Sequence, residues 1–265
     1  MAISGAPAPT APDVPQAKTA VGRAEAARGV RYLFTPIMLA LLGLVLYLWV
    51  KSLELDSIEQ RTLNSEFISK KLWEHVKLAA LSTVLVVSIA VSLGIVLTRP
   101  GARRIVPVAM GITNIGQAIP SIGLLVLLGI TLGIGFGYAV LALVVYSILP
   151  VLRNTMVGLQ QVDRSLIEAG RGMGMTKGAV LRQIELPLAV PVILAGIRTA
   201  LIINVGTATL ATFTGAGGFG DLINNGLRLG RDNVMIVGAA LTALLALTID
   251  WIASVAEDLL RPKGL

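Results

Sequence analysis

The sequence contains no cysteine and a single histidine, His75, among its 265 residues. Without cysteine, the chain cannot form a disulfide, use a thiol in catalysis or bind a metal through sulfur. One histidine is too few for a metal site built from histidines, and no cluster of carboxylates lies within the long apolar segments. We therefore predict that the chain is not an enzyme and has no catalytic residue and no metal site of its own.

Charged residues are also scarce, since they make up 14% of the chain whereas hydrophobic residues make up 55%. Soluble domains carry about a quarter charged residues. Apolar runs of about 18 residues or more, long enough to cross the hydrocarbon core of a bilayer, recur along the chain. They predict an all-α polytopic membrane protein with about six transmembrane helices, at residues 32–50, 76–98, 105–132, 138–158, 188–213 and 234–256.

The remaining segments are too short for a fused soluble domain of about 100 residues. Residues 1–30 are rich in Ala, Pro and Gly and predict a disordered cytoplasmic tail. Residues 31–75 are predicted to hold the first transmembrane helix and an outer connection, with His75 at the membrane interface. Residues 76–258 form the predicted transmembrane core, and residues 259–265 form a cytoplasmic carboxyl terminus.

The net charge of +7 is distributed unevenly among the segments that join the apolar runs. With the amino terminus in the cytoplasm, the inside segments carry about twice as many Lys and Arg residues as the outside segments, in agreement with the positive-inside rule. Acidic residues divide evenly, so the excess positive charge faces the cytoplasm. This distribution predicts a multi-pass protein with both termini in the cytoplasm, and it explains the basic composition without nucleic-acid binding.

A polar segment, residues 163–187, lies between the fourth and fifth apolar runs, and the same orientation places it inside. Asp163 is a predicted helix N-cap, and Gly174 is suited to a left-handed turn that ends the helix. Thr176 is predicted to cap a second helix, and Pro187 to begin the next membrane helix. The segment therefore predicts a short helix-turn-helix at the membrane surface.

The first of these two helices carries one face of apolar and small residues. Residues at positions i, i+3, i+4 and i+7 of a helix share a face. In this helix those positions are occupied by Leu166, Ala169, Gly170 and Met173. Such a helix can lie in a groove on a soluble partner, with the apolar face as its anchor. The alternative is an ordinary amphipathic loop at the membrane surface.

The stretch from Glu168 to Pro187 has a distinctive spacing: Glu-Ala-Gly, three residues, Gly174, nine residues, then Ile-Glu-Leu-Pro. It resembles the cytoplasmic coupling loop of ABC importer permeases, although Gly170 stands where that family usually has a second Ala. Further segments look like the osmoprotectant branch of the family, namely residues 114–121, 149–155, 168–176, 185–191, 196–200 and 215–220. The similarity covers about residues 70–255.

The resemblance implies a type I ABC importer permease fold with a cytoplasmic coupling helix, in a bacterial plasma membrane. It further implies a second permease chain, identical or a sister chain, an extracytoplasmic substrate-binding protein, and two ATPase subunits that bind ATP and Mg. No cofactor is expected in this chain, and membrane lipid surrounds it. The residues that would engage the ATPase are Leu166, Glu168, Ala169, Gly170, Met173 and Gly174.

The cargo implied by the resemblance is a quaternary-amine osmoprotectant such as glycine betaine, choline or carnitine. Two alternatives stay open. The first is the same kind of permease for another small ligand, either an amino acid or an ergothioneine-like betaine. The second is an ion-coupled carrier, which would transport without an ATPase and would leave the coupling loop without a role.

Three further groups of residues are candidate functional sites. Polar groups within spans face protein or a water-filled cavity, so the translocation path or interhelical hydrogen bonding is predicted for Asn114, Gln117, Ser121, Asn204 and Thr207. Arg198 and Asp250 are predicted to form an intramembrane ion pair, because each charge alone would be costly there. An outer gate, or a plain connecting loop, is predicted for Gly215, Gly217, Gly218, Phe219 and Gly220.

Overall fold

The computed structural model describes residues 14–102 and 104–260, with side chains from residue 32 onward. The described residues form helices and turns and contain no strand, so the predicted all-α class is confirmed. The helices are α1 (Val14–Ser52), α2 (Ser57–Thr62), α3 (Ser65–Leu97), α4 (Val106–Ala118), α5 (Ser121–Thr131), α6 (Phe136–Gln160), α7 (Arg164–Gly172), α8 (Lys177–Val180), α9 (Leu186–Ala208), α10 (Gly220–Leu229) and α11 (Asp232–Leu260). Short 3-10 helices are formed by Pro100–Ala102 and Thr209–Thr214, and a π-helical turn by Leu181–Glu185.

The centre of the molecule is a bundle of α3, α6 and α9, and α6 packs against both of the others. Their facing side chains form a continuous apolar core that includes Leu78, Val86, Leu143, Leu152 and Ala200, all fully buried. Helix α11 packs against α9, and α1 lies on the outside of α11. Most of the exposed large side chains are apolar, as expected for helices that face lipid.

Glycines set the spacing of the central bundle. A Cβ atom at Gly94 of α3 would lie 2.8 Å from the Cβ of Thr155 on α6. At Gly196 of α9, it would lie 2.9 Å from the backbone oxygen of Pro150. Small residues of this kind let membrane helices approach closely, and the tight packing replaces a hydrophobic driving force that lipid does not provide.

Five described helices are long and apolar enough to span a membrane, and a bent pair would make a sixth if counted as one span. The bent pair is α4 and α5, whose axes differ by 98°. The apolar run predicted over residues 105–132 is therefore built from two helices that meet at a sharp bend. The cause lies at Pro120, since the residue before a proline is disfavoured in helical geometry. Ile119 is accordingly extended, with φ −68° and ψ 131°.

Two other boundaries differ from the sequence prediction. Helix α1 begins at Val14, so residues 14–30 are helical rather than a disordered tail, while residues 1–13 lie outside the described residues. Residues 261–265 of the predicted carboxyl-terminal segment also lie outside them. Helix α3 begins at Ser65, eleven residues before the apolar run from Val76, and Asn64 caps it by accepting a hydrogen bond from the Phe67 N–H. The polar extension places Lys71, Glu74 and His75 on the same rigid helix as the span.

Candidate functional site

The segment between α6 and α9 folds as the predicted helix-turn-helix, formed by α7 and α8. The Asp163 carboxylate accepts a hydrogen bond from the Ser165 backbone N–H at 2.9 Å, and this bond lowers the pKa of Asp163. Gly174, two residues after the end of α7, adopts the left-handed conformation, with φ +85°. The Thr176 hydroxyl then caps α8 by accepting from the Ala179 N–H at 3.2 Å. Local hydrogen bonds thus define both helix starts and the turn between them.

The predicted apolar face of α7 divides into two parts. Gly170 faces inward, where an added Cβ would lie 2.7 Å from the Ile184 side chain. Leu166, Ala169 and Met173 are exposed instead, Leu166 at 46% and Met173 at 76%. We call these three residues the coupling ridge. Glu168 is also exposed, on a different side of the helix.

An ion pair that the sequence analysis did not predict ties this segment to α3. Arg99, just beyond the end of α3, donates to both carboxylate oxygens of Glu185, at 2.5 and 3.2 Å. Glu185 is buried, and it lies in the π-helical turn that leads into α9. An acid between the apolar residues Ile184 and Leu186 is a sequence signal that could have indicated a buried partner.

At the other end of the bundle, the predicted outer-gate residues form a tight connection between α9 and α10. Gly215, Gly217 and Gly218 have positive φ angles, which favour glycine. Phe219 is 2% exposed. Gly220 packs directly on the backbone carbonyl of Thr209, so no side chain fits there.

The polar start of α3 holds this connection in place. Glu74 accepts a hydrogen bond from the Gly218 N–H at 3.1 Å. Lys71 bridges Glu74 at 2.8 Å and Asp221 of α10 at 2.6 Å. These contacts, with those of the neighbouring His75, form a set that we call the outer latch: Lys71, Glu74, His75, Gly218, Phe219 and Asp221.

His75 is enclosed by the protein. The sequence predicts a position at the membrane interface, and the structure shows that the side chain is fully buried within the chain. Its Nδ1 lies 3.2 Å from the Phe219 backbone N–H, which is a donor, and its Nε2 lies 2.9 Å from the Val205 backbone oxygen, which is an acceptor. These partners assign the neutral tautomer with the proton on Nε2. His75 therefore joins α3, α9 and the glycine-rich connection.

The predicted translocation residues separate in the structure. Asn114, Gln117 and Ser121 lie around the α4–α5 bend, where they are exposed or half-buried and form no side-chain hydrogen bond within the described part of the chain. Thr207 is half-buried. Asn204 is fully buried and donates to the Thr83 hydroxyl at 2.9 Å. Asn204 therefore joins α9 to α3 by an interhelical hydrogen bond, and it does not line an open surface of the chain.

The structure brings Arg198 and Asp250 together in a two-pronged contact. The Arg198 Nε and Nη2 atoms lie 2.6 and 2.8 Å from the two Asp250 oxygens. A carboxylate oxygen of Glu257 lies 3.6 Å from Arg198 Nη1. Glu257 follows Asp250 by about two turns of α11, and the sequence did not single it out. One cation thus meets two acids, and the contact joins α9 to α11.

Comparison with known proteins agrees with this geometry. Residues 90–262 match the family of binding-protein-dependent transport system inner membrane components. The choline transport system permease protein OpuBB of Bacillus subtilis is 46% identical over 74% of this chain and 89% of its own length. The glycine betaine/carnitine/choline transport system permease protein OpuCB of the same organism is 43% identical over the same shares.

Solved structures show a similar fold. A chain of the inward-facing MetNI methionine ABC transporter superposes with a TM-score of 0.64 and 26% sequence identity. The superposition covers 74% of this chain and 96% of that one. The helical architecture is therefore that of an ABC importer permease, as the resemblance implied.

Proposed function

Because the chain belongs to the family of binding-protein-dependent transport system inner membrane components, we propose that it is the permease subunit of an ATP-driven importer for quaternary-amine osmoprotectants. The relatives named for choline, glycine betaine and carnitine transport support this cargo. The observation that carries the proposal is the coupling segment, in which a capped helix of nine residues exposes the apolar coupling ridge. Exposed apolar side chains on a polar segment are typical of a protein docking site.

The proposed partner of the coupling ridge is a cytoplasmic ATPase, which binds ATP and Mg. Two such subunits, a second permease chain and an extracytoplasmic binding protein complete the proposed machine. The permease lies in the inner membrane, as its family description states, with both termini proposed to be cytoplasmic. Amphipathic α10, which exposes Leu227 and Arg228 beside the outer latch, is the proposed contact for the binding protein.

The contacts suggest how motion at the ATPase reaches the outer face. A force on α7 passes to the π-helical turn that packs against it, then to α3 through the Glu185–Arg99 pair and to α9 through the continuous chain. Helices α3 and α9 are packed on each other along the bundle and meet the glycine-rich connection through His75. A rigid shift of α3 against α9 would therefore move the proposed outer gate. The proposed path runs past Asn114, Gln117 and Ser121, where the bend leaves polar groups without partners in the described chain.

The first experiment is uptake of labelled glycine betaine, with choline and carnitine as competitors. It compares cells without this chain, cells with the chain restored, and restored cells depleted of ATP. The proposal predicts uptake that needs both the chain and ATP. Uptake that survives ATP depletion but is lost with the ion gradient would indicate an ion-coupled carrier instead. If the chain binds its ATPase but imports no betaine, the assignment as an ABC importer permease stands, and the cargo is another ligand, for example an amino acid.

The coupling ridge is tested separately by co-purification of the ATPase. Leu166→Glu places a charge in the middle of the proposed contact and should abolish ATPase retention while leaving the permease in the membrane. The matched control is Leu227→Glu on α10, which is more exposed but lies at the other end of the molecule. Equal ATPase retention by both variants would contradict the assignment of the ridge.

A further inference from the structure

The coupling segment borders a partly open cavity of about 1050 Å³ that the proposed function leaves without a role. The cavity lies between α7, α8 and the ends of the membrane helices. Leu97 at the end of α3, Val106 at the start of α4 and Leu159 at the end of α6 contribute apolar side chains to its lining. This volume is at the upper end of the range for small-molecule sites.

The cavity and the coupling ridge lie on opposite faces of α7. Arg164, Ile167 and Arg171, at positions i, i+3 and i+7, line the cavity. The ridge residues Leu166 and Met173 lie about half a helical turn away from that row. An ATPase bound to the coupling ridge would therefore leave the cavity face of α7 directed toward the ends of the membrane helices.

The lining is positively charged. Arg164, Arg171 and Lys177 line the cavity, and none of them forms an ion pair within the described part of the chain. Arg99 also lines the cavity, but Glu185 pairs with it. Glu168 is the one acid in the lining beside Glu185, so positive charge is in excess. This excess is complementary to an anionic occupant.

The apolar part of the lining favours a lipid over a small soluble anion. Leu97 and Leu159 belong to helices long and apolar enough to span the membrane, so the cavity lies at the level where those helices leave it. Basic pockets between transmembrane helices on the cytoplasmic side are typical sites for anionic headgroups. The chain's own undescribed ends are poor alternatives, because residues 1–13 and 261–265 contain one acidic side chain, Asp13.

We propose that this cavity binds one anionic phospholipid, with its phosphate held by Arg171 and Lys177 and an acyl chain against Leu97, Val106 and Leu159. The lipid would fill the space between the coupling helix and the ends of α3, α4 and α6. It would thereby stiffen the connection that otherwise depends on the Arg99–Glu185 pair. This inference goes beyond the proposed function, and lipid binding is measured without transport.

The test is retention of lipid by the full-length chain purified from membranes. The protein is equilibrated with an equal mixture of phosphatidylglycerol and phosphatidylcholine in detergent, and the retained lipids are quantified by mass spectrometry. The double variant Arg171→Gln with Lys177→Gln removes two cavity cations. The matched control, Arg153→Gln with Arg182→Gln, removes the same charge from exposed positions outside the cavity. If the double variant does not reach the membrane, Lys177→Gln alone is compared with Arg182→Gln.

The wild type and the control should retain phosphatidylglycerol preferentially. Each cation near an anionic lipid contributes roughly a fivefold preference, so the cavity double variant should lose more than tenfold of the selectivity and Lys177→Gln about fivefold. Equal selectivity in cavity and control variants would overturn the proposal. Displacement of the lipid by millimolar inorganic phosphate would indicate a soluble-anion site. Loss of ATPase binding with unchanged lipid retention would assign the cavity to the ATPase.

Discussion

The two ends of the α3–α6–α9 bundle are held in different ways. At the proposed outer end, Lys71, Glu74 and His75 satisfy two backbone N–H groups of the glycine-rich connection and one acid of α10. At the other end, the Arg99–Glu185 pair ties the π-helical turn before α9 to the end of α3, and Gly170 of α7 packs inward, while the apolar ridge of α7 is exposed. The glycine-rich connection is thus held by contacts within the chain, whereas the coupling segment exposes an apolar ridge that we propose a partner covers. Substitutions in the glycine-rich connection should accordingly lower the stability of the chain. Substitutions in the coupling ridge should instead weaken binding of the proposed partner.

The largest loss of stability is expected for Gly220→Ala. A Cβ atom there would overlap the Thr209 carbonyl, which is backbone and cannot rotate away. Overpacking of this kind costs roughly 1–3 kcal/mol, and backbone displacement adds to it. The purified variant should show a lower thermal unfolding temperature and reduced uptake. Gly137→Ala is the control, since nothing lies within 4 Å of the position. Wild-type stability of Gly220→Ala would mean that the connection is loosely packed.

The next largest loss is expected for Lys71→Met. This change removes the cation between Glu74 and Asp221 and leaves two neighbouring carboxylates without it. Breaking a buried pair costs about 3–5 kcal/mol, but these carboxylates are 27% and 23% exposed, so we expect about 2 kcal/mol. Lys70→Met, one residue away on the exposed side, is the control.

The same two variants test whether the latch controls the proposed outer gate. With Lys71→Met, the glycine-rich connection should become accessible to a thiol reagent at an introduced Ala216→Cys, whereas Lys70→Met should leave it protected. Ala216 is 9% exposed in the intact structure. Unchanged protection in Lys71→Met would show that Glu74 and His75 suffice without the lysine.

A smaller change in stability is expected for alanine substitutions in the coupling segment. The change should be destabilising at Gly174 and stabilising at Gly172, two residues away. Gly174 has φ +85° and open space around its Cβ position, so Gly174→Ala should destabilise the turn by about 1 kcal/mol through backbone strain alone. Gly172 also has open space but is helical, so Gly172→Ala should stabilise α7 by about 0.5 kcal/mol. Coupled ATPase activity and thermal unfolding measure both changes. Equal effects of the two variants would contradict the left-handed turn.

The smallest effect is expected for Gly170→Ala, which restores the residue usual in the coupling loops that this segment resembles. The added methyl group would meet the ends of the Ile184 and Met175 side chains, which can turn away. The gain in helix propensity offsets this contact, so stability should change by less than about 0.5 kcal/mol. Gly170→Leu is the contrasting variant and should reduce both stability and ATPase retention. A large effect of Gly170→Ala would show that the inward packing is rigid.

The helix-turn-helix at residues 163–187 could be predicted because its determinants are local. The side chains of Asp163 and Thr176 cap helices that begin at the next residue, and Gly174 relieves a strain that arises within its own backbone. Such interactions involve residues two or three positions apart, so their spacing in the sequence identifies them. The apolar runs are readable for the same reason, since a bilayer imposes a minimum length on each span.

Other features required contacts between distant segments. His75 looked interfacial because its neighbours in sequence are charged, yet Val205 and Phe219 enclose it from positions more than 100 residues away. The burial of Asn204 against Thr83 likewise depends on how α9 packs on α3.

The sequence by itself determined the membrane class, the spans, the capped coupling segment and the need for Arg198 and Asp250 to pair, because composition, periodicity and the cost of isolated charge act through near neighbours or through the lipid. Only the tertiary structure decided which face of α7 is free and which charges close the outer latch, because both depend on contacts between separate segments. Gly170 and Gly220 allow those contacts, since an added Cβ would overlap a neighbour in another segment. Sequence spacing carries no record of that proximity.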